Sequence, residues 1–161
     1  MKTVAVKAAL LVAALVFCAP LPGRAQEVLF LVRHAEKVDN SKDAALSPAG
    51  QARAKALALT LRDAGVSSIY ATQYQRTKAT AQPLAEALKL HVHLHPADDT
   101  AGLVALLHKE RGRALVVGHS NTLPEIAAAY GVKLSIEDDQ YDGLFMIIPR
   151  RKTLVRLHQS P

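Results

Sequence analysis

The 161-residue sequence has one cysteine, Cys18, and no tryptophan. Cys18 lies in an opening segment that reads as removable, so the mature chain is expected to hold no disulfide framework and no thiol chemistry. Aromatic residues make up only 4%. After position 25 they are Phe30, Tyr70, Tyr74, Tyr130, Tyr141 and Phe145, too few for the stacking platform that single-stranded nucleic acid needs. The apolar run from Ala8 to Ala19 is twelve residues long, against roughly 20 for a bilayer-spanning helix. Internal repeats, low-complexity tracts and linkers are absent, which excludes solenoid and multi-domain readings.

What the first residues do contain is an export signature. Lys2 and Lys7 precede the apolar run, Pro20, Pro22 and Gly23 interrupt it, and Gly23-Arg24-Ala25 supplies small residues at a cleavage point, the order of a secretory signal. Phe17 stands before Cys18 where a lipoprotein site carries a small residue, so a lipid anchor is not expected. A signal peptide is therefore expected at 1–25 and one domain at 26–161, in a periplasmic or secreted product with no membrane attachment after cleavage. The remaining 136 residues are enough for one hydrophobic core. Because the signal takes Lys2, Lys7 and Arg24, the formal charge falls from +6 to +3. That mild excess suits a small anionic substrate and argues against a nucleic-acid partner. Oligomeric state stays open, since the apolar final strands suit pairing between chains as well as internal packing.

From Val28 onward, strands and helices alternate. Val28 to Val32 is a continuous apolar run, as a central parallel strand presents. A helix is expected over Leu46 to Gly65, with Ser47 as N-cap, Pro48 in the first turn and Ala54, Leu57, Ala58 and Leu61 inward. Ser68 to Ala71 reads as a strand. Thr77 to Lys89 reads as a helix that Pro83 delays or kinks, with Ala81, Leu84, Ala85 and Leu88 inward. Val92 to Leu94 is a weak strand, and Thr100 to Lys109 is a helix presenting Leu103, Leu106 and Leu107. Ala114 to Val117 is a buried strand. Thr122 and Glu125 stand at capping-box spacing in a helix that Gly131 closes. Strands Gly143 to Ile148 and Thr153 to Leu157 finish the chain around a turn at Pro149 to Lys152. This order predicts a three-layer α/β/α sandwich on a mostly parallel sheet. The site of such a fold lies beyond the carboxyl ends of its strands, where His34, Thr72 and His119 fall.

Chemistry concentrates at those ends. Leu31-Val32-Arg33-His34-Ala35-Glu36-Lys37 places an Arg-His pair where the first apolar run meets a polar loop. Tyr-Gln-Arg-Thr-Lys-Ala-Thr-Ala supplies Arg76, and Val-Val-Gly-His-Ser-Asn-Thr supplies His119. Two arginines and two histidines so placed are what a phosphoryl-transfer pocket needs, because the phosphate charge must be matched and an imidazole must attack phosphorus. In these stretches the chain resembles the histidine phosphatase superfamily, which contains cofactor-dependent phosphoglycerate mutases and SixA-type phosphohistidine phosphatases. It departs from most members at Ala35, where they carry glycine, a change compatible with a negative φ. It is also short between Leu90 and Arg113, where the mutases carry a long insertion over the site. An open hydrolase site is therefore expected rather than a mutase.

The resemblance implies a phosphoglycerate mutase-like fold and a metal-free, cofactor-free phosphomonoesterase acting on small phosphorylated metabolites or envelope saccharides, with a phosphohistidine protein as the alternative substrate. It implies that His34 is the nucleophile, that Arg33 and Arg76 bind the phosphoryl oxygens, and that His119 donates to them. Arginine suits that task through its planar, permanently charged fork. His34 has to attack as neutral imidazole, with its other nitrogen on a fixed acceptor. Asn40 reaches the phosphate in the mutase pattern, or is a turn residue beside Asp39 and Ser41. Three carboxylates compete for the role of general acid: Asp98, then Asp99, whose alternative is a helix N-cap, then Glu36. Tyr74 and Tyr141 are expected near the opening, with a turn residue beside Asp142 and Gly143 as the alternative for Tyr141.

Two other classes have some support in the sequence. His91, His93 and His95 alternate, so on a strand they share one face and suggest zinc, copper or nickel. No carboxylate or cysteine at ligand spacing completes such a site, and an exposed edge strand is preferred. A module that binds a phosphorylated ligand without turnover is disfavoured by the intact Arg33, His34, Arg76 and His119 set.

Overall fold

Successive side chains of a strand point to opposite faces, and the first strand, β1 (Gln26–Arg33), buries both. Leu29 and Leu31 enter one apolar cluster, while Phe30 and Val32 enter the other. The computed structural model describes residues 26–159, so the expected signal peptide at 1–25 lies outside the described residues. Five further strands, β2 (Ser68–Thr72), β3 (Val92–His95), β4 (Gly112–Gly118), β5 (Gly143–Ile148) and β6 (Thr153–His158), complete one sheet in the order β3-β2-β4-β1-β5-β6. The four strands from β3 to β1 run parallel. β5 and β6 return antiparallel and close that side.

Helices α1 (Pro48–Leu61) and α2 (Gln75–Leu88) cover one face, where Leu57, Leu61, Ala81 and Leu84 meet Phe30, Val32 and Leu115. Helices α3 (Thr100–Leu107) and α4 (Thr122–Ala129) cover the other, where Leu103, Leu107, Leu123 and Ile126 meet Leu29, Leu31 and Val116. The result is the expected α/β/α sandwich with a mostly parallel sheet, each central strand buried on both faces.

Local chemistry sets the helix ends. Ser47 caps α1 by accepting the Gly50 N–H at 3.1 Å, with Pro48 in the first turn. The helix stops at Leu61, short of Gly65, and Gly65 turns the chain at φ +70°. A side chain at Gly50 would put its Cβ 2.3 Å from the Glu36 carbonyl oxygen. Glycine there lets α1 seat against the loop that follows β1.

Three details differ from the sequence pattern. Helix α2 begins at Gln75, before Thr77, because Asp43 from a distant loop accepts the Gln75 N–H at 2.7 Å. It runs on through Pro83, and Ala79, whose carbonyl loses a donor there, is exposed and open to water. Thr122 does not form a capping box with Glu125; its hydroxyl instead accepts the His119 N–H at 3.2 Å. Leu106 of α3, expected inward, is 44% exposed.

Candidate active site

His34 is the first residue beyond β1. Its N–H donates to the Gly118 carbonyl at 3.0 Å, adding one bond to the β1–β4 ladder. Its Nδ1 lies 2.9 Å from the Ala35 carbonyl oxygen. A carbonyl only accepts, so Nδ1 carries the proton and Nε2 keeps its lone pair. The residue is buried, and burial drives its pKa down to about 3. The Ala35 carbonyl opposes that shift, while His119, Arg76 and Arg33 reinforce it. His34 is thus neutral and nucleophilic at ordinary pH. Ala35 does not have positive φ, which is the condition under which alanine replaces glycine without strain.

One hydroxyl joins this strand end to the next helix. Thr80 Oγ1 accepts the Ala35 N–H at 3.0 Å and donates to the Arg76 carbonyl at 2.7 Å. Thr80 is buried, so neither bond has water as a ready substitute.

His119 stands one residue beyond β4, and its carbonyl accepts the Leu123 N–H as α4 opens. Its Nε2 lies 3.1 Å from Thr72 Oγ1. The proton count there is closed. Thr77 Oγ1 lies 3.0 Å from the Thr72 carbonyl and 2.8 Å from the Tyr74 carbonyl, and both only accept. Thr72 therefore donates its hydroxyl hydrogen to Thr77 Oγ1, 2.8 Å away, and accepts from His119 Nε2–H. Burial, then the charges of Arg76 and Arg33, lower the His119 pKa to about 4. The His34 and His119 rings meet edge-on, 5.4 Å apart.

The two arginines are fixed in matching ways. Arg33 donates from its Nη1 to the carbonyls of Glu137 and Asp138, and its guanidinium lies 4.2 Å from the Tyr141 ring centre. Arg76 donates from its Nη1 to the Lys42 carbonyl at 2.9 Å and lies 4.3 Å from the Tyr74 ring centre. In both, Nε is buried and has no hydrogen-bond partner. A buried, unpaired guanidinium N–H is costly; Arg76 lines the cavity beside His34, whereas Arg33 lies behind it, against Tyr141.

His34, Arg76 and His119 line an open cavity of about 580 Å³. Its walls are Lys42, Gln73, Tyr74, Asp98, Ser120 and Asn121. Asp98, expected from sequence, is thus at the cavity. Asp99 is not; it caps α3 by accepting the Gly102 N–H at 2.9 Å. Glu36 is held by Arg53 through bonds as short as 2.6 Å. Burial would raise the Glu36 pKa, but the Arg53 guanidinium holds it below the ordinary carboxylate value. Asn40, expected at the phosphate, accepts from Lys37 Nζ at 3.4 Å on an exposed loop and does not line the cavity. Lys42 of the same loop does, although nothing in the sequence marked it.

The alternating histidines serve the edge of the sheet. The His93 ring lies 5.3 Å from that of Tyr70, and His95 Nε2 lies 2.8 Å from the Asp99 carbonyl. Among the described residues no three His, Cys, Asp or Glu side chains gather in a metal-holding group. Sequence reasoning put Thr72 among the strand ends of the site but gave it no task, and it missed Thr77 and Thr80 and the carbonyls of Glu137 and Asp138. The threonines do stand beside the strand end and Arg76, at helical spacing, whereas backbone acceptors leave no residue-type signal.

A family model described as the histidine phosphatase superfamily (branch 1) matches residues 29–97, the stretch that carries Arg33, His34 and Arg76. The resemblance read from the motifs is thereby borne out. No curated protein matches the chain. Among solved structures, the protein histidine phosphatase SixA complexed with tungstate superposes with a TM-score of 0.62 at 15% identity, over 82% of this chain and 95% of that one. A mycobacterial glucosyl-3-phosphoglycerate phosphatase with inorganic phosphate gives 0.64 at 16% identity, over 75% and 89%. A phosphoserine phosphatase from Entamoeba histolytica with 3-phosphoglyceric acid gives 0.57 at 16% identity, over 84% and 97%. At these identities the likeness is one of fold.

Proposed function

We propose that this chain, which carries the histidine phosphatase superfamily match and fold, is a metal-independent phosphomonoester hydrolase working through a phosphohistidine at His34. The observation that carries the reading is the set of groups around His34 Nε2. That atom has a free lone pair, the charges of Arg76 and Arg33 both act on the His34 ring, and Arg76 and His119 share its cavity.

In the first step Nε2 attacks phosphorus, the N–P bond forms and the ester P–O bond breaks. Asp98, on the cavity wall, is the group that passes a proton to the leaving alkoxide. In the second step water attacks phosphorus, Asp98 takes the water proton, and the N–P bond breaks to release inorganic phosphate. Charge on the transferring group spreads over three oxygens, so fixed cations and donors supply most of the catalysis. Arg33, Arg76 and His119 are placed to do so. Because His119 Nε2–H is committed to Thr72, it serves a phosphoryl oxygen through Nδ1, once that atom is protonated in the field of the anion.

The open cavity suits small phosphorylated metabolites or envelope saccharides. It also admits a phosphohistidine side chain, the substrate named for the SixA neighbour. The export pattern of residues 1–25 supports a periplasmic or secreted location. The test is p-nitrophenyl phosphate hydrolysis by residues 26–161 in excess EDTA, beside His34→Ala. Turnover that survives EDTA and vanishes in the variant is expected. Turnover retained by His34→Ala would remove the nucleophile assignment. Phosphate binding with no turnover of any phosphoester or phosphohistidine peptide would leave a binding module.

A further inference from the structure

Tyr74, which lines the cavity, and Tyr141, which lies behind it against Arg33, repeat one arrangement, and the phosphatase reading gives neither a task. Tyr141 lies 4.2 Å from the Arg33 guanidinium and 6.0 Å, centre to centre, from the His34 ring. Tyr74 lies 4.3 Å from the Arg76 guanidinium and 5.6 Å from the His119 ring. Each ring therefore touches one arginine and one histidine of the site. Neither phenol hydroxyl makes a hydrogen bond among the described residues. By contrast, the buried tyrosines Tyr70 and Tyr130 both bond through theirs, to Glu110 and Gln26.

We infer that Tyr74 and Tyr141 are positioning residues that act through their ring faces, each holding one arginine–histidine pair in the geometry that an oxyanion requires. This inference rests on the phosphatase reading of the site. The physical case begins with the arginines. Each is tied to backbone carbonyls through Nη1 alone, and one such attachment leaves a long side chain free to rotate about it. A flat aromatic face under the guanidinium removes that freedom and favours its charge through the ring quadrupole. With Nη1 and the face both engaged, Nε is left as a buried donor without a protein partner. The histidines benefit in turn, because an aromatic neighbour, edge-on at His119 and tilted at His34, restricts how the imidazole turns.

The two rings are mounted on unlike supports. Tyr74 precedes α2 and shares its carbonyl with Thr77. Tyr141 ends the irregular segment between α4 and β5, which Ser120 pins by donating to Asp138 at 2.8 Å. Two separate segments thus bring the same ring to the same task, which argues against coincidence of packing.

The experiment compares Tyr74→Phe, Tyr74→Leu, Tyr141→Phe and Tyr141→Leu in residues 26–161. It measures kcat and KM for p-nitrophenyl phosphate, the inhibition constant of inorganic phosphate, and the thermal midpoint with and without phosphate. The phenylalanine variants keep the ring and should hold the phosphate constant within about twofold of wild type. The leucine variants should weaken phosphate binding roughly three- to thirtyfold, the range that a cation–π contact supplies, and should lower kcat. A phenylalanine variant as impaired as its leucine counterpart would overturn the inference, because the hydroxyl would then be the working group. Leucine variants with unchanged phosphate binding would overturn it as well. Should Tyr141→Leu fail to fold, Tyr74→Leu carries the test from its half-buried position at the head of α2. If the wild type neither hydrolyses the ester nor binds phosphate, the phosphatase reading falls and this inference falls with it. A wild type that does both, with indifferent variants, removes this inference alone.

Discussion

On the floor of the cavity the protein holds each histidine by one ring nitrogen and leaves the other free. His34 spends its N–H on Gly118 and its Nδ1 on Ala35, and the Thr72–Thr77 pair fixes His119. On the walls Gln73 and Ser120 are bonded within the protein, but other side chains are not held at all. The Lys42 and Asn121 side chains have no partner among the described residues, and Asp98 is exposed. On the proposed reading, the floor is preorganised where charge has to be met in a transition state, and the walls are adjustable where a leaving group of variable shape has to fit. What is done to a phosphate would then be separated from which phosphate it is done to.

The contrast breaks most completely at the nucleophile. His34→Ala should reduce p-nitrophenyl phosphate hydrolysis to background and abolish the acid-labile phosphoenzyme trapped after rapid quench. Arg76→Ala should cost ~10²–10³ in kcat, the scale for losing one preorganised oxyanion donor. Activity within tenfold of wild type would show that Arg33 alone meets the charge.

Asp98→Asn tests a wall residue against the floor. With alkyl phosphates, whose leaving groups need a proton, kcat should fall by ~10²–10⁴. With p-nitrophenyl phosphate the loss should be much smaller, because that leaving group departs unaided. Equal losses on both substrates would take the general acid away from Asp98.

Acid should weaken the fold before it stops the chemistry. The His34 and His119 pKa values stand at about 3 and about 4, against 6.5 for the free side chain. Between about 6.5 and about 3 the unfolded chain therefore binds protons that the folded chain refuses, and stability drops as pH falls through that window. The profile of kcat/KM, corrected for substrate ionisation, should stay flat down to about pH 5, above both folded values. An acid limb near 6.5 would mean that the imidazoles are not desolvated as described.

The smallest effect belongs to the loop that carries Asn40. Asn40→Ala should leave kcat/KM for p-nitrophenyl phosphate within about twofold, since surface changes away from special features are nearly neutral. A tenfold loss would bring that loop over the phosphate during turnover.

The floor was also the legible part of the sequence. Arg33, His34, Arg76 and His119 stand at strand and helix ends that apolar periodicity marks, and their residue types state their chemistry. The layers, the inward faces of α1 and α2, and the parallel core followed from the same pattern. What stayed hidden came from tertiary contacts. The first turn of α2 depends on Asp43, brought across from another loop. Thr122 looked like the start of a capping box until its hydroxyl turned to His119. The walls were misjudged at Asn40 and Lys42 because loop residues of similar polarity differ only in which way the loop folds. Among Asp98, Asp99 and Glu36, sequence offered only an order of preference led by Asp98, and structure separated them by giving Arg53 to Glu36 and a helix N-terminus to Asp99.

The single hydroxyl of Thr80 has a consequence for motion. It accepts from Ala35 beside the nucleophile and donates to the carbonyl of Arg76, so the loop after β1 and the first turn of α2 cannot open independently. In hydrogen exchange the Ala35 amide should report the opening of a helix 45 residues away in sequence, exchanging in step with the amides of α2 rather than with its neighbours at 38–43. The nucleophile's loop and the helix that brings the second arginine would then breathe as one body, and a substrate would meet them both open or both closed.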